Sequence, residues 1–167
     1  MPNRLICYII MNIINNKNKE AEVVYKKILV AFDNAEKAKK AVTTAIEIVK
    51  NSKGEICLLA SVKMPSFISA ASPNMIKALE NDSRKHFTEV LKEYEDKIKE
   101  EGILASSVIF DESPGKAIVR YAEKEKFDLI VMGSGNRGSV ERVLAGLGSV
   151  SNYVLQHAKC PVLIIKD

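Results

Sequence analysis

Short runs of apolar and β-branched residues alternate with longer amphipathic stretches from Lys26 to the end of the chain. The runs have the length of strands, and the stretches carry apolar residues at helical spacing. This alternation is typical of a parallel sheet wrapped by helices, because parallel strands need long crossover connections. The pattern therefore predicts an α/β fold. The predicted strands lie at residues 27–32, 55–62, 106–110, 128–132 and 160–165.

The crossovers constrain the rest of the architecture. Because strand-helix-strand crossovers are almost always right-handed, helices should cover both faces of the sheet. We therefore predict a doubly wound five-stranded parallel sheet, in which the first and fourth strands meet at a switch point. Ligands of such sheets bind at the carboxyl ends of the strands. Asp33, Ser61 and residues 132–138 fall at those ends.

Polar residues and glycines mark the predicted helix boundaries. Asp33 or Asn34 can cap the first helix, and Gly54 is a stop signal near its end. Gly102 ends the long second helix, and Ser113-Pro114 supplies an N-cap and an N1 proline for the third. Asp33 therefore has two compatible roles, as a helix cap and as a carboxylate in the crevice.

A glycine-rich stretch follows the fourth strand, and its spacing suits a phosphate group. Gly135 and Gly138 are followed, after nine residues, by Gly148-Ser149. Glycine has no Cβ, so the backbone N–H groups can approach an anion closely. A helix that begins at Gly148-Ser149 would add unpaired N–H groups, a positive dipole end and a hydroxyl. On spacing alone, a flexible turn without a ligand stays open.

The composition disfavours several classes of function. With 47% apolar and 28% charged residues, the 167-residue chain can bury a core and fold as one domain. The net charge is +4, but lysines are interleaved with glutamates and tryptophan is absent. This pattern indicates a solvated helix face, so we expect no nucleic-acid partner.

The cysteines and histidines match no metal or disulfide pattern. Cys7, Cys57 and Cys160 are widely spaced and form no CxxC. They indicate a reducing, cytoplasmic setting, in which Cys57 and Cys160 are small core residues. His86 and His157 are far apart in the sequence, so they suggest no metal site.

Residues 1–24 differ from the rest, and we interpret them as an N-terminal extension of unknown role ahead of a domain at 25–167. The apolar run at 5–11 is too short to span a bilayer, so we expect no membrane insertion. No small-residue cleavage site follows it, which disfavours a signal peptide. A loosely attached leader and an upstream start codon, with Met11 as another start, both stay open.

Several ordered blocks of the chain match one known family. They comprise an opening strand with its acidic residue at 27–33, a fourth strand at 128–133, and a closing section at 148–151 and 160–165. Together they resemble the universal stress protein family over Tyr25–Asp167. The resemblance implies a Rossmann-like fold, similar to that of adenine nucleotide alpha hydrolases.

The nucleotide-binding branch of this family has a pattern of Gly, two residues, Gly, nine residues, then Gly and Ser or Thr. This chain satisfies the pattern with Gly135, Gly138, Gly148 and Ser149. In the family, the first glycine usually follows the methionine of the strand directly, which would be Gly133. Either the strand exit has two extra residues, or Gly133 is the equivalent glycine and two residues are inserted around 145–146.

The resemblance implies an ATP-type site, with Mg²⁺ as a further ligand. Asp33 would accept a hydrogen bond from the ribose or lie near the base, whereas Met132 would pack on adenine or simply belong to the core. Ala31 and Ser61 would border adenine. Arg137 would pair with phosphate as a fork donor or remain a solvated loop residue. The other implied phosphate-side residues are Gly133, Gly135, Gly138, Gly148, Ser149 and Val150.

No enzyme chemistry stands out in the sequence. Neither Gly-Lys-Ser nor Gly-Lys-Thr follows the glycines, so a P-loop hydrolase is not indicated. The resemblance implies a non-enzymatic, ATP-binding stress-response regulator. A partner-binding stress protein without nucleotide and a weak ATPase stay open as alternatives. The family often pairs its closing strands, so we expect a homodimer through residues 162–165, which would otherwise be an exposed apolar edge.

Overall fold

The computed structural model describes residues 25–50, 52–63, 72–135 and 148–166, in which five strands alternate with four helices. This order confirms the predicted α/β fold. The extension at 1–24 lies outside the described residues. So do residues 140–147, for which the spacing of Val140, Val143, Leu144 and Leu147 predicts a short helical segment. The strands are β1 (Lys27–Ala31), β2 (Glu55–Ser61), β3 (Leu104–Phe110), β4 (Leu129–Gly133) and β5 (Val162–Ile165). The helices are α1 (Glu36–Val49), α2 (Pro73–Glu100), α3 (Pro114–Lys124) and α4 (Ser149–His157).

All five strands are parallel and lie in the order β3-β2-β1-β4-β5. The chain first adds β2 and β3 on one side of β1, and then returns to place β4 and β5 on the other side. Ala31, the last residue of β1, lies opposite Leu59 of β2 and Met132 of β4. The switch point therefore lies between β1 and β4, as predicted.

The sheet is buried on both faces, as successive residues of β1 show. Val30 belongs to the core beneath α1 and α2, whereas Leu29 belongs to the core beneath α3 and α4. Both side chains are fully buried, as expected for a central parallel strand. α1 contributes the five apolar positions that helical spacing predicts, Ala38, Ala41, Val42, Ala45 and Val49.

α2 extends well beyond the sheet that it covers. Its 28 residues span about 42 Å at 1.5 Å per residue, whereas the seven residues of β3 span about 23 Å. Its buried residues, Leu91 and Ile98, both lie in its C-terminal part. The helical spacing of the apolar residues in this stretch predicts Leu79 on the buried face, but it is 38% exposed. Among the described residues, no helix is long and apolar enough to cross a membrane.

The start of α1 differs from the prediction. Neither Asp33 nor Asn34 is its N-cap; that position is held by Ala35, without a side-chain hydrogen bond. Asn34 has a left-handed backbone conformation with φ of 62°. A residue in that region cannot belong to a right-handed helical turn, so the helix starts after it. The predicted capping role of Asp33 and Asn34 is therefore wrong.

The glycines at helix ends have different roles. α1 ends at Val49, well before Gly54, so the prediction of Gly54 as its stop is wrong. A Cβ at Gly54 would lie only 2.6 Å from the carbonyl oxygen of Lys26, so this glycine allows two chain segments to approach closely. Gly102, with φ of 75°, follows α2 as predicted. Ser113 is the N-cap of α3, also as predicted.

Candidate functional site

The predicted site residues that the structure describes lie along the carboxyl edge of the sheet. Asp33 lies two residues beyond β1, Ser61 ends β2, Gly133 ends β4, and α4 begins at Ser149. Arg137 and Gly138 lie outside the described residues. The structure thus brings the following predicted residues to one edge: Ala31, Asp33, Ser61, Met132, Gly133, Gly135, Gly148, Ser149 and Val150.

The residues after β4 show where its pairing with β5 ends. Gly133 is still paired with Ile165 of β5, and the Ser134 N–H donates to the carbonyl oxygen of Ile165 at 2.9 Å. The first glycine beyond these contacts is Gly135. This geometry favours the alternative in which the two extra residues belong to the strand exit.

Gly135 and Gly148 meet in space. A Cβ built on Gly148 would lie 2.4 Å from the carbonyl oxygen of Gly135, closer than real Cβ contacts allow. Two residues thirteen positions apart therefore close the ends of the glycine loop, and a side chain at Gly148 would separate them. This contact is the structural requirement behind the glycine at position 148.

The start of α4 presents backbone donors at this edge. Its N-cap is Gly148, which has no side chain to cap the helix, and its first turn contains no acidic residue. The first bond of the helix runs from the Asn152 N–H to the Gly148 carbonyl oxygen at 3.0 Å. The N–H groups of Ser149 and Val150 precede it and have no acceptor within the helix. The arrangement is therefore suited to an anion.

Asp33 is exposed, and a local hydrogen bond orients its carboxylate. Its Oδ1 accepts from the Ala35 N–H at 3.1 Å, which is the geometry of an Asx turn. The left-handed Asn34 lies inside this turn. The carboxylate is thus fixed at the mouth of the crevice, next to the switch point. Its contact with a ribose or base remains a prediction.

The residues expected beside a base differ in how accessible they are. Ala31 and Ser61 are half-buried. The Ser61 hydroxyl donates to the carbonyl oxygen of Glu112 at 2.6 Å, so it holds the β3–α3 connection in place. Met132 is only 4% exposed and packs in the core beneath α3 and α4. The structure therefore places Met132 in the core, the second interpretation open to it.

Lys37 and Ser134 are site residues that the sequence analysis missed. Lys37 lies in the first turn of α1, and its Nζ donates to Ser134 Oγ at 3.3 Å. Ser134 is 3% exposed. A Cβ at Gly133 would lie 2.7 Å from the Cβ of Lys37, so the glycine makes room for the lysine stem. Lys37 could have been identified as a lysine in the predicted first turn of the helix after β1, because the first turns of helices in this fold face the carboxyl edge.

α2 forms a polar wall beside the crevice and contacts the connections after three strands. Its His86 Nε2 lies 3.5 Å from Asn34 Nδ2 after β1. Its Glu80 pairs with Lys63 after β2 at 3.7 Å. Arg84 pairs with Asp111 after β3. The N-terminal half of α2, which we call its projecting half, is therefore held by polar contacts and not by a buried apolar face.

The shifted thiol pKa values speak against Cys57 or Cys160 as a nucleophile. Burial raises the pKa of the Cys57 thiol, and burial also raises that of Cys160. A nucleophilic cysteine has a lowered pKa, so both thiols are protonated and unreactive at neutral pH. Burial likewise raises the pKa of Tyr121, beside Cys57, to about 12.

Comparisons with known proteins agree on one family. The chain matches the model of the Universal stress protein family over residues 24–166. It is 32% identical over 159 residues to a universal stress protein of Methanocaldococcus jannaschii, and the alignment covers 95% of this chain and 90% of that relative. The likeness therefore extends over the whole described sheet.

Solved structures agree in fold. A universal stress protein of Lactobacillus plantarum has a TM-score of 0.73 at 25% identity, covering 86% of this chain and 99% of that one. A universal stress protein of Archaeoglobus fulgidus in complex with dAMP has a TM-score of 0.58 at 22% identity, covering 86% and 100%. A universal stress protein in complex with cAMP has the same score and identity, covering 86% and 98%.

Proposed function

Because the chain belongs to the universal stress protein family, we propose that it is an ATP-binding, non-enzymatic regulator of a stress response. The observation that carries the proposal is the contact of Gly135 with Gly148 at the start of α4, beside the switch point between β1 and β4. Proteins of the same fold hold dAMP and cAMP, which supports an adenine nucleotide as the ligand.

The phosphates bind between the loop ends and the start of α4. The N–H groups of Ser149 and Val150 face the anion, together with the positive end of the helix dipole. The Ser149 side chain is exposed and adds a hydroxyl donor. In this proposal Gly138 and Arg137 complete the phosphate cradle, and Mg²⁺ accompanies the phosphates.

The nucleoside binds between the ends of β1 and β4. The carboxylate of Asp33, oriented by the Ala35 N–H, accepts a hydrogen bond from the ribose. Ala31 and Ser61 border the base, and the buried Met132 supports it from the core. The site is thus built on strand ends that the sheet holds rigidly.

The protein acts through binding and not through catalysis. Two polar groups of the site have structural partners, since Asp33 accepts from the Ala35 N–H and the Ser61 hydroxyl donates to the carbonyl oxygen of Glu112. Bound nucleotide stabilises the conformation that binds it, and thereby shifts the affinity for a downstream partner. The free thiols Cys57 and Cys160 fit a reducing cytoplasm, where we place the protein.

The protein also forms a homodimer through β5, at residues 162–165. β5 ends the sheet next to β4. The carbonyl oxygens of Pro161 and Ile165 accept from the N–H groups of Ile130 and Ser134. Val162 and Ile164 therefore direct their backbone groups away from the sheet. Their side chains are at most 5% exposed, so the outward backbone, not an apolar surface, is available for pairing. Light scattering that detects only monomer would overturn this part.

A partner-binding protein without nucleotide is the second candidate. It is favoured by the projecting half of α2, where Met75 is 57% exposed and Leu79 is 38% exposed. Exposed apolar side chains on a protruding helix suit a protein partner.

Equilibrium binding of ATP with Mg²⁺ to the full chain separates the two candidates. Saturable binding is expected for the leading proposal, and mass spectrometry should detect nucleotide that co-purifies. Absence of binding at millimolar ATP would contradict it and favour the partner-binding protein. Phosphate release that depends on Asp33 or Ser149 would instead indicate an enzyme.

A further inference from the structure

We propose that residues 5–11, the apolar run of the N-terminal extension, dock along β3 and add a strand to the outer edge of the sheet. This edge lies at the opposite end of the sheet from β5, and its occupation does not depend on nucleotide binding. Docking there gives β3 an interaction surface and gives the extension a role in covering the sheet.

β3 is an edge strand of the described sheet, and its sequence does not protect that edge. Its seven residues, LASSVIF, include no charged residue and no proline. Charges and prolines are the usual means of keeping a further strand away from an edge. The Val62 N–H donates to the Phe110 carbonyl oxygen, so Ala105, Ser107 and Ile109 direct their backbone groups outward. These three residues thus offer backbone donors and acceptors to a further strand.

One face of β3 is also poorly covered. Val108 and Phe110 are half-buried at the margin of the core beneath α3 and α4. Because side chains alternate along a strand, Leu104 and Ser106 lie on the same face. Ser106 is exposed, and Leu104 is 71% exposed. An apolar segment that pairs with the edge can therefore remove the Leu104 side chain from water, which favours docking.

The extension joins the domain at the end of the sheet where β3 begins. The described domain starts at Tyr25, just before β1. Lys27 pairs with Glu55, and Glu55 pairs with Leu104. β3 therefore begins two strand spacings from β1, or about 10 Å away. The 13 residues at 12–24 reach up to about 43 Å when fully extended, so the connection is long enough for residues 5–11 to lie along β3.

The apolar run matches the surface in length and composition. Residues 5–11, LICYIIM, equal β3 in number, and none of them is charged. Isoleucine and tyrosine are favoured in strands. Because the run belongs to the same chain, its effective concentration at β3 is raised to about the millimolar range, which favours it over a second copy of the protein.

Hydrogen exchange measured by NMR on the full chain tests the docking. The outward N–H groups of Ala105, Ser107 and Ile109 should exchange about 10-fold or more slowly in the wild type than in the double variant Ile9→Asp/Ile10→Asp. Two carboxylates in the run oppose its burial against β3. We call this double variant the run variant.

Ile13→Asp/Ile14→Asp is the matched control, because it introduces the same charges by the same substitutions outside the run. Its outward N–H groups should exchange as slowly as those of the wild type. Leu104→Asp changes the surface instead of the run and should accelerate exchange as the run variant does. The N–H groups of Ser106 and Val108 face β2, so they should keep the same rates in every folded variant.

Outward N–H groups that exchange equally fast in the wild type and in the run variant would overturn the proposal. Equal acceleration in the two double variants would also contradict it, since the effect would then arise from added charge alone. Protection should not depend on protein concentration. Protection that falls on dilution would identify a second copy as the occupant, and would therefore overturn docking within one chain.

Discussion

The two edges of the sheet use the same residue types for different purposes. At the amino edge, Asp128 accepts from the N–H groups of Lys26 and Lys27 at 3.0 and 2.8 Å. Gly54 packs against the Lys26 carbonyl oxygen. At this edge, the aspartate and the glycine therefore serve as structural contacts between chain segments. An aspartate and a glycine do not indicate a function until their partners are known.

At the carboxyl edge, an aspartate and glycines surround backbone groups that the fold itself leaves available. Asp33 is exposed, and Gly148 begins a helix whose first N–H groups have no acceptor within the helix. α1 and α4 both begin at this edge, because each follows the carboxyl end of a strand or its loop. The difference between the edges comes from the direction of the chain rather than from composition.

The largest expected effect is a loss of ATP affinity when a glycine at the carboxyl edge is replaced. Gly148→Val places a side chain where a Cβ would lie 2.4 Å from the Gly135 carbonyl oxygen. The ends of the loop must then move apart, and ATP binding should fall by about 100-fold or more, equivalent to about 2.7 kcal/mol. Calorimetric titration with ATP and Mg²⁺ measures this loss. Gly138→Val should also abolish binding by blocking the approach of phosphate.

Gly54→Val is the matched control at the amino edge, where a Cβ would lie 2.6 Å from the Lys26 carbonyl oxygen. Overpacking of this kind destabilises a fold by about 1–3 kcal/mol. Urea unfolding should show that loss, whereas the ATP affinity of the folded variant should equal that of the wild type. Reduced affinity in this variant, or unchanged affinity in Gly148→Val, would remove the distinction between the edges.

A second pair of variants tests the aspartates. Asp128→Ala removes the acceptor of two backbone N–H groups, and because this site is exposed the free energy of unfolding should fall by about 1 kcal/mol. Asp33→Ala removes one exposed bond to the Ala35 N–H, so stability should change less. Its ATP affinity should fall by about 10-fold. Unfolding and binding curves for both variants provide the check; equal profiles for the two would contradict the proposed role of Asp33.

The smallest expected effect lies in the core between the edges. Burial raises the pKa of Tyr121 to about 12 from the ordinary value of 10.0. The folded state therefore keeps this proton longer than the unfolded state. The associated stability is present in full below pH 10 and is lost between about pH 10 and 12. Two pKa units correspond to about 2.7 kcal/mol, and because Tyr121 is partly exposed to solvent we expect a loss of about 1 kcal/mol.

Urea unfolding of the wild type and of Tyr121→Phe, at pH 8 and pH 11, measures this contribution. The wild type should lose more stability than the variant over that interval. A parallel decline in the two proteins would indicate that Tyr121 does not contribute.

Much of the fold could be predicted from local patterns. The strands alternate with helices, and α1 buries the five residues that its periodicity predicts. The start of α1 could not be predicted, because Asp33 and Asn34 are both good caps, whereas Ala35 holds the N-cap position without a side-chain hydrogen bond. The role of Gly54 depends on Lys26, 28 positions away in the sequence. Such a contact has no local signal.

The candidate site was predictable in position but not in detail. Strand ends and glycine spacing placed Asp33, Gly135 and Gly148 along one edge, where the structure has them. The contact of Lys37 with Ser134 joins residues 97 positions apart, so only the folded chain brings them together. The alternation of β4 did not decide whether Met132 faces a ligand or the core, because both faces of a central strand are apolar.

The pairing of Gly133 with Ile165 favours two additional residues at the exit of β4 relative to the family pattern, and an even number would have a consequence for the fold. Side chains along a strand alternate between the two faces, so one extra residue would have turned the loop to the opposite face of the sheet. Two extra residues in a strand keep the same face and lengthen it by about 6.6 Å, at 3.3 Å per residue. On this alternative, Gly133 and Ser134 would extend β4 without turning the residues that follow to the other face of the sheet.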